Sequence, residues 1–181
     1  GTEYSEIWMA ENLNYETSNS YCYDDDPDKC TQYGRLYTWA AAVGRSENEC
    51  GYGRECGLPS DDVRGICPKG WHLPSQTEWN ALFTAVGGSS IAGAKLKSQT
   101  GWTAYSGITN EDVFGFSALP AGYRYYDGYF YDGGDNAYFW SSTEYYSDNA
   151  YGMNLYYYNG GGALYSNDFK GYGFSVRCLR D

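Results

Sequence analysis

Six cysteines constrain this chain more than any other feature of its sequence. Four of them form two pairs that each flank a short loop, and the remaining two lie far apart in the chain. The sequence has no C-x-x-C motif and only one His, so the spacing does not indicate a zinc site. Six reduced, buried thiols are the alternative, but such local pairs are rare in a reducing compartment. We therefore predict an oxidising compartment and three disulfides: Cys22–Cys30, Cys50–Cys56 and Cys67–Cys178.

The clearest helix signal begins at Ser75. Ser75 and Glu78 have the S-x-x-E spacing of a capping box, in which each side chain can satisfy a free backbone N–H group. Apolar residues follow at i, i+3, i+4 and i+7 and form one face: Trp79, Leu82, Phe83 and Val86. A Gly-Gly pair at residues 87–88 predicts the end of the helix.

A second helix is predicted over residues 34–43, where apolar residues again recur with helical spacing. Residues 16–31 are expected to form a polar loop, and residues 92–98 a short helical turn. Alternating apolar residues or turn signals predict strands and one hairpin: residues 4–14, 114–118, 123–131 (a hairpin around Asp127-Gly128), 138–143, 150–158, 163–166 and 174–178.

These elements predict one α+β domain over residues 1–181, with two helices packed on a twisted antiparallel sheet and long loops. In the strand at 150–158, one face is expected to point into the core: Tyr151, Met153, Leu155 and Tyr157. The other face would then point outward: Asn154, Tyr156 and Tyr158.

The charge of the chain argues against two classes of partner. With 12 Lys and Arg against 23 Asp and Glu, the chain has a net charge of −11 and no visible basic patch. Binding to nucleic acid or to anionic membranes would need such a patch. No stretch approaches the roughly 20 apolar residues of a membrane helix, so membrane insertion is not expected. The N-terminus shows no signal peptide, which is also compatible with a leader removed before Gly1.

The chain contains 22 Tyr and 24 Gly, and residues 125–169 contain many of the tyrosines but no Lys, Arg or His. Tyr with interleaved Asn, Asp, Ser and Gly suits recognition, because its large amphipathic ring loses little conformational entropy on binding. About half of these rings should pack on the sheet, since strands favour aromatic residues. Tyrosines predicted to lie on the outer face or in turns are our candidate ligand-binding residues: Tyr125, Tyr126, Tyr129, Tyr131, Tyr145, Tyr146, Tyr156 and Tyr158.

No catalytic constellation is recognisable. His72 is the single His and hence the natural candidate for a general base, but its position between Trp71 and Pro74 favours a structural role. A glycoside hydrolase would need two paired acids, and no spacing selects a pair among the available carboxylates: Glu111, Asp112, Asp127, Asp132, Asp135 and Glu144.

Five blocks in order resemble the Fibrobacter succinogenes major paralogous domain (FISUMP): WMAENLN at 8–14, GRLYTW at 34–39, CPKGWHLPS at 67–75, FWSSTE at 139–144 and GFSVRC at 173–178. The resemblance covers about residues 4–180. It implies a secreted or surface-attached bacterial protein and brings no activity with it. The arrangement also resembles the wider C-type lectin-like fold, in which a disulfide joins an early helix to the last strand.

A calcium site is a weaker prediction. Acidic residues crowd the first small disulfide loop, and carboxylate oxygens are typical Ca²⁺ ligands: Asp24, Asp25, Asp26 and Asp28. The order of an EF-hand is missing, so a solvated loop is the alternative. Asn167-Asp168 resembles only the end of the Trp-Asn-Asp segment of lectin-type Ca²⁺ sites, and the Glu-Pro-Asn or Gln-Pro-Asp tripeptide is missing. No other cofactor is expected.

The sequence thus predicts a non-catalytic recognition module, secreted or at the cell surface, that binds or adheres to polysaccharide through a Tyr-rich loop face. A protein–protein or surface-assembly domain is the alternative, since paratopes for protein use the same residue types. A glycoside hydrolase is the third hypothesis.

Overall fold

The computed structural model describes residues 4–59 and 62–181. It has the predicted α+β composition, but with five α-helices in the described part of the chain rather than the two predicted: α1 (Pro27–Tyr33), α2 (Trp39–Ala42), α3 (Glu47–Cys50), α4 (Gln76–Ala85) and α5 (Ser89–Leu96). Ten strands accompany them: β1 (Ser20–Tyr21), β2 (Leu36–Tyr37), β3 (Trp71–His72), β4 (Tyr123–Arg124), β5 (Phe130–Tyr131), β6 (Asn136–Glu144), β7 (Asn149–Tyr156), β8 (Gly162–Phe169), β9 (Phe174–Ser175) and β10 (Leu179–Arg180).

The main sheet has six strands in the order β1-β2-β9-β6-β7-β8. The long strands β6, β7 and β8 pair antiparallel, as predicted, whereas β9 meets β6 in parallel through a single pair, Phe139 and Ser175. Two small antiparallel pairs complete the fold, β3 with β10 and β4 with β5. The second of these is the hairpin predicted around Asp127-Gly128.

Helix α4 begins and ends as the sequence predicts. The Ser75 backbone N–H donates to Glu78 Oε2 at 2.7 Å, and the Glu78 N–H donates to Ser75 Oγ at 3.3 Å. Its apolar face and α5 cover one face of the sheet, where Phe139, Met153 and Leu155 are fully buried. Gly93 of α5 lies so close to the turn after β7 that an added Cβ would sit 2.2 Å from the Gly161 carbonyl oxygen.

All three predicted disulfides are present and no described cysteine is free. The long bridge joins Cys67, just before β3, to Cys178, just before β10, with a Cα–Cα distance of 6.0 Å. Three intramolecular disulfides indicate an oxidising environment. No helix among the described residues has the length and apolar character to cross a membrane.

Two predictions in the first half of the chain were wrong because strand pairing and caps override helical periodicity. The helix predicted at 34–43 begins instead as β2, which pairs with β1 and β9, and Thr38 then caps the short α2. The polar loop predicted at 16–31 contains α1, whose N-cap is Asp26 and whose first residue is Pro27. Asp followed by Pro is a helix-start signal that the sequence analysis did not use.

Two predicted strands are also absent from the described chain. Residues 4–14 run beside the C-terminal segment with one bridge, between Trp8 and Leu179. The chain turns at residues 113–115, and Ala118 makes only an isolated bridge with Lys97. The Asp112 carboxylate accepts a hydrogen bond from the Ser117 backbone N–H at 2.7 Å, and Ser117 has a positive φ. The helical turn predicted at 92–98 is the end of α5, a longer helix than expected.

Candidate functional site

The eight tyrosines proposed as ligand-binding residues fall into three groups. Five belong to one network of ring contacts that runs through Tyr123 and Tyr138: Tyr125, Tyr126, Tyr131, Tyr156 and Tyr158. Two contact each other in the loop between β6 and β7, with ring centroids 4.2 Å apart: Tyr145 and Tyr146. Tyr129 is 69% exposed and makes no ring contact within the described chain.

Three rings of the network, Tyr123, Tyr138 and Tyr156, line a cavity of about 260 Å³ on the sheet face opposite α4 and α5. We call it the tyrosine cavity. Its lining residues come from β4, β6, β7, β8, the segment leading into β9 and β9 itself: Tyr123, Tyr138, Asn154, Tyr156, Tyr165, Asn167, Asp168, Tyr172 and Phe174.

Strand alternation places these side chains on the same face. Tyr138 lies directly opposite Asn154, while their neighbours Phe139 and Met153 point to the helices. The sequence analysis correctly separated the two faces of β7 at Met153, Leu155, Asn154 and Tyr156. The core-facing prediction for Tyr151 and Tyr157 was wrong, because both are only partly buried and neither packs against a core cluster.

A β-bulge brings Asp168 to the cavity. Ala150 pairs with Asp168 and Gly152 pairs with Tyr165, so two residues of β8 oppose one residue of β7. In a regular strand, residues 165 and 168 would point to opposite faces. The bulge therefore places the Tyr165 ring and the Asp168 carboxylate in the same cavity.

Two buried oxygen atoms at this cavity receive no hydrogen bond from the described residues: Asn154 Oδ1 and Asp168 Oδ2. Asn154 is only 3% exposed, and its Nδ2 group already donates to Tyr156 Oη at 3.4 Å. Such groups are uncommon in folded proteins, because an unpaired buried acceptor costs about 1–3 kcal/mol. Unpaired acceptors beside aromatic walls are the features expected of a ligand site.

The absence of a side chain at Gly152 makes room for the carboxylate. A Cβ atom at Gly152 would lie 2.3 Å from Asp168 Oδ2 and 3.1 Å from the Phe174 ring. Gly152 thus lets Asp168 lie flat against β7 beside Phe174.

Burial raises the pKa of Asp168 to about 7, because no cation offsets the loss of solvent. Burial, followed by the hydrogen bond that Tyr138 Oη donates to Asp132 Oδ2 at 2.6 Å, also raises the pKa of Tyr138. The cavity thus combines neutral phenols with one carboxyl group that titrates near neutral pH.

Two buried lysines hold the strand ends around the cavity. Lys97 Nζ donates to the carbonyl oxygens of Tyr156 and Asn159 at 2.9 Å each, which fixes the turn after β7. Lys170 Nζ donates to the Glu144 carboxylate and to the Arg54 carbonyl oxygen, which ties β8 to the end of β6 and to the loop after α3. The sequence analysis did not anticipate either role.

An outer aromatic groove continues from the tyrosine cavity. It has a volume of about 400 Å³ and is lined by Tyr52, Tyr125, Tyr126, Phe169 and Gly171. The ring of Tyr172, which lines the cavity, stacks on Tyr125 of the groove with centroids 5.1 Å apart. The two spaces therefore lie on either side of one stacked pair of rings.

The model of the Fibrobacter succinogenes major domain matches residues 4–180 of this chain. The chain belongs to this family. No curated protein and no solved structure matches it significantly. The FISUMP resemblance noted in the sequence is thus confirmed. The description of the tyrosine cavity comes from the geometry of this chain alone.

The residues considered for calcium are not gathered into a cation site. No group of three His, Cys, Asp or Glu side chains in the described ranges is placed to hold a metal. In the segment containing Asp24, Asp25, Asp26 and Asp28, the side chain of Asp26 caps α1 by accepting from the Asp28 N–H at 3.0 Å. Asn167 and Asp168 line the tyrosine cavity instead.

His72 lies between two carboxylates and does not line the tyrosine cavity. Its ring nitrogens lie 2.9 Å from Glu78 Oε1 and 2.9 Å from Asp181 Oδ1. Burial alone would lower the pKa of His72, but the hydrogen bonds to Asp181 and Glu78 outweigh it and raise the pKa. The histidine thus connects the start of α4 to the C-terminal segment, which is a structural role.

Most carboxylates considered for hydrolysis are engaged in local structure. Glu111 pairs with Lys95, Glu144 with Lys170, and Asp127 accepts from the Tyr129 N–H. Asp112 and Asp132 accept from Ser117 and Tyr138, as described above. No two of these acids line the tyrosine cavity in the described chain.

A cavity of about 420 Å³ lies elsewhere, between the N-terminal segment, α4 and residues 114–116. Trp8, Leu82 and Phe116 are among its apolar walls. None of the buried polar atoms without a partner in the described chain lies there. The tyrosine cavity, which has two, is therefore the stronger candidate site.

Of the eight tyrosines predicted to bind ligand, only Tyr156 lines the tyrosine cavity, and four of its five tyrosines were missed. Tyr123, Tyr138, Tyr165 and Tyr172 were not selected, because a ring on a strand face is usually part of the core. Alternation could have found Tyr138, since it shares a face with Asn154 once β6 and β7 are paired. The bulge that brings in Asp168 leaves no simple sequence signal.

Proposed function

We propose that this domain is a non-catalytic glycan-binding module of a secreted or cell-surface protein, and that a sugar ring binds in the tyrosine cavity. The observation that carries the proposal is the pairing of aromatic walls with two buried, unpartnered acceptors, Asn154 Oδ1 and Asp168 Oδ2. This combination fits a ligand that is apolar on its faces and polar on its edges.

A sugar ring has those properties. Its C–H faces stack on aromatic rings, and its hydroxyl groups bond the carboxylates and amides of the rim. The cavity volume of about 260 Å³ is below the roughly 300–1,000 Å³ of sites for drug-sized ligands, which suits a single ring or a chain end. The adjoining outer aromatic groove offers exposed rings for further sugar units, so a polysaccharide is the favoured ligand.

Location and fold class support the same proposal. Three disulfides favour a secreted or cell-surface protein. We also infer a C-type lectin-like arrangement, which the Cys67–Cys178 bridge and the pairing of β3 with β10 near both ends of the domain support. Adhesion to polysaccharide at a surface is the function that unites these features.

Protein recognition is the second candidate, and the tyrosines outside the cavity favour it. Tyr129 and Tyr146 are 69% and 64% exposed and lie on loops rather than in a concave site. Exposed tyrosines of this kind are typical of flat protein-binding surfaces. A surface-assembly partner would contact these loops and leave the tyrosine cavity free.

The first experiment is a pull-down on insoluble cellulose and xylan, with Ca²⁺ and again with EDTA. We expect binding in both buffers, because the site consists of rings and acceptors rather than a metal. Binding lost in EDTA would reassign the site to Ca²⁺ at the Asp24–Asp28 segment or at Asn167-Asp168. No binding in either buffer to these or other glycans would leave the protein-partner candidate.

Two alanine variants then locate the site. Tyr156→Ala and Tyr172→Ala each remove an aromatic wall, and loss of such an anchor typically costs about 2 kcal/mol or more, roughly 30-fold in affinity. Tyr129→Ala and Tyr146→Ala are the matched controls, since they remove exposed rings outside the cavity. Weaker binding in the controls and intact binding in the cavity variants would contradict the proposal.

A further inference from the structure

We propose that the tyrosine cavity selects a sugar that carries a primary ammonium group, so that its ligand is an amino-sugar unit of a glycan. This inference rests on the proposed function and specifies the ligand class of the same site.

Two buried acceptors of the cavity are unpartnered, and the donors in its walls are mainly phenol hydroxyls. Asn154 Oδ1 and Asp168 Oδ2 are acceptors without a donor among the described residues, and the Asn154 Nδ2 group donates one hydrogen bond to Tyr156 Oη. Tyr138 donates its hydroxyl hydrogen to Asp132 and so has none for a ligand. A primary ammonium supplies three donors and no acceptor, whereas a sugar hydroxyl supplies only one donor. The ammonium therefore matches these two acceptors better.

The aromatic walls also favour a cation. The face of an aromatic ring attracts a cation within about 6 Å of its centroid. This chain already uses that contact elsewhere, since the Arg124 guanidinium lies 3.9 Å from the ring centroid of Tyr21 and Lys170 Nζ lies 4.7 Å from that of Trp39. The tyrosine cavity presents several rings together with a carboxyl group, and none of its described lining residues is Lys, Arg or His.

Nearby charges are acidic or otherwise engaged. Asp132 accepts from Tyr138 at the edge of the cavity, and residues 125–169 include no basic residue at all. Of the two cations closest in sequence, Arg124 stacks on Tyr21 and has a buried Nε without a described partner, whereas Lys170 binds Glu144. Neither lines the cavity. A buried carboxylate without a counter-ion is unfavourable, and an ammonium from the ligand would supply one. A sugar that carries a carboxylate would instead place a second negative charge beside Asp168.

Three disaccharides that share one backbone test this inference: the β-1,4-linked dimers of glucosamine, N-acetylglucosamine and glucose. Disaccharides are used because a chain with a net charge of −11 attracts long polycations without specificity. Titration calorimetry should give the glucosamine dimer an affinity roughly 10- to 100-fold above that of the other two, as expected for hydrogen bonds to a charged group.

Asp168→Asn should remove this preference, while Asp28→Asn, the same substitution on the exposed surface of α1, should preserve it. Thermal unfolding verifies that both variants fold. A second readout needs no variant: because the pKa of Asp168 is about 7, binding of a pre-formed ammonium in mildly acidic buffer should release a proton. The release is detected as a dependence of the measured binding enthalpy on the ionisation enthalpy of the buffer. This dependence should be missing for the neutral sugars.

Equal affinity for the three dimers, no proton release, or an unchanged preference in Asp168→Asn would overturn the inference and leave glycan binding in place. No binding of any dimer, together with no binding to polysaccharide, would overturn the proposed function as well. The two failures are therefore distinguishable.

Discussion

The two faces of the main sheet are built from the same strands but differ in what they leave unsatisfied. On the face covered by α4 and α5, Phe139, Met153 and Leu155 are fully buried among apolar side chains. On the other face, their immediate neighbours Tyr138 and Asn154 line an open cavity with unpartnered acceptors. The second face also has a packed part around Trp140, Ala150 and Phe174. Beside that core it keeps polar groups at a cost in stability, as functional sites often do.

The largest expected effect comes from the packed face. Trp79 is fully buried, and its ring centroid lies 4.5 Å from that of Trp8 and 5.8 Å from that of Phe139. Trp79→Ala should lower the free energy of unfolding by about 3–5 kcal/mol, because it removes a large core side chain. Denaturant titration measures this loss. If Tyr172→Ala on the open face cost as much stability, the division of roles between the faces would be wrong.

The next effect is a pH dependence of stability that Asp168 produces on the open face. The pKa of Asp168 is about 7 in the folded protein against an ordinary value of 3.8, so the folded state binds more protons than the unfolded state between these values. Stability should therefore fall as pH rises through this window, by up to about 4 kcal/mol at one pKa unit per 1.4 kcal/mol.

The unfolding free energy of Asp168→Asn should lack this pH-dependent fall. The variant should therefore be more stable than the wild type above neutral pH. The difference between the two proteins isolates Asp168 from His72, whose raised pKa also makes stability fall with rising pH. Parallel pH profiles for wild type and variant would show that the carboxyl group is not buried as described.

Gly152→Ala should disturb the open face with a smaller loss of stability. The new Cβ would lie 2.3 Å from Asp168 Oδ2, so the carboxylate must leave its position. We expect a loss of about 1–3 kcal/mol in stability, as for overpacking, together with loss of the preference for the glucosamine dimer. Gly160→Ala is the control, because its Cβ would meet only Ala94 at 3.9 Å. Retained selectivity in Gly152→Ala would contradict the role of Asp168.

The smallest effect concerns the helix on the packed face. Ser75→Ala removes one half of the capping box and should cost about 1 kcal/mol. Glycan affinity should not change, since α4 lies behind the sheet. Thr84→Ala, on the same helix but outside the cap, serves for comparison in both measurements. A change in affinity with Ser75→Ala would mean that the two faces are coupled.

The sequence was informative where a local rule decides the structure. Ser75 and Glu78 define α4, the pairs of nearby cysteines define two disulfides, and alternation separates Met153 and Leu155 from Asn154 and Tyr156. In each case, the spacing of a few residues carries the whole argument.

The sequence was uninformative where contacts between distant segments decide the structure. Residues 36–37 have helical periodicity but pair with β1 and β9, which only the complete sheet supplies. Lys97 and Lys170 read as surface residues, yet backbone carbonyls and Glu144 from distant segments accept their hydrogen bonds. Asp168 reaches the cavity through a bulge. The site therefore could be predicted as a Tyr-rich face but not as this particular cavity.

The most direct test of the account is a map of NMR chemical-shift changes during titration with a bound oligosaccharide. The account predicts changes at the Asn154 side-chain amide, the Gly152 N–H and the Tyr172 ring, with the Trp79 indole behind the sheet unaffected. Changes centred on Tyr145 and Tyr146, or on the cavity between Trp8 and Leu82, would contradict the claim that the open face of the sheet is the binding face.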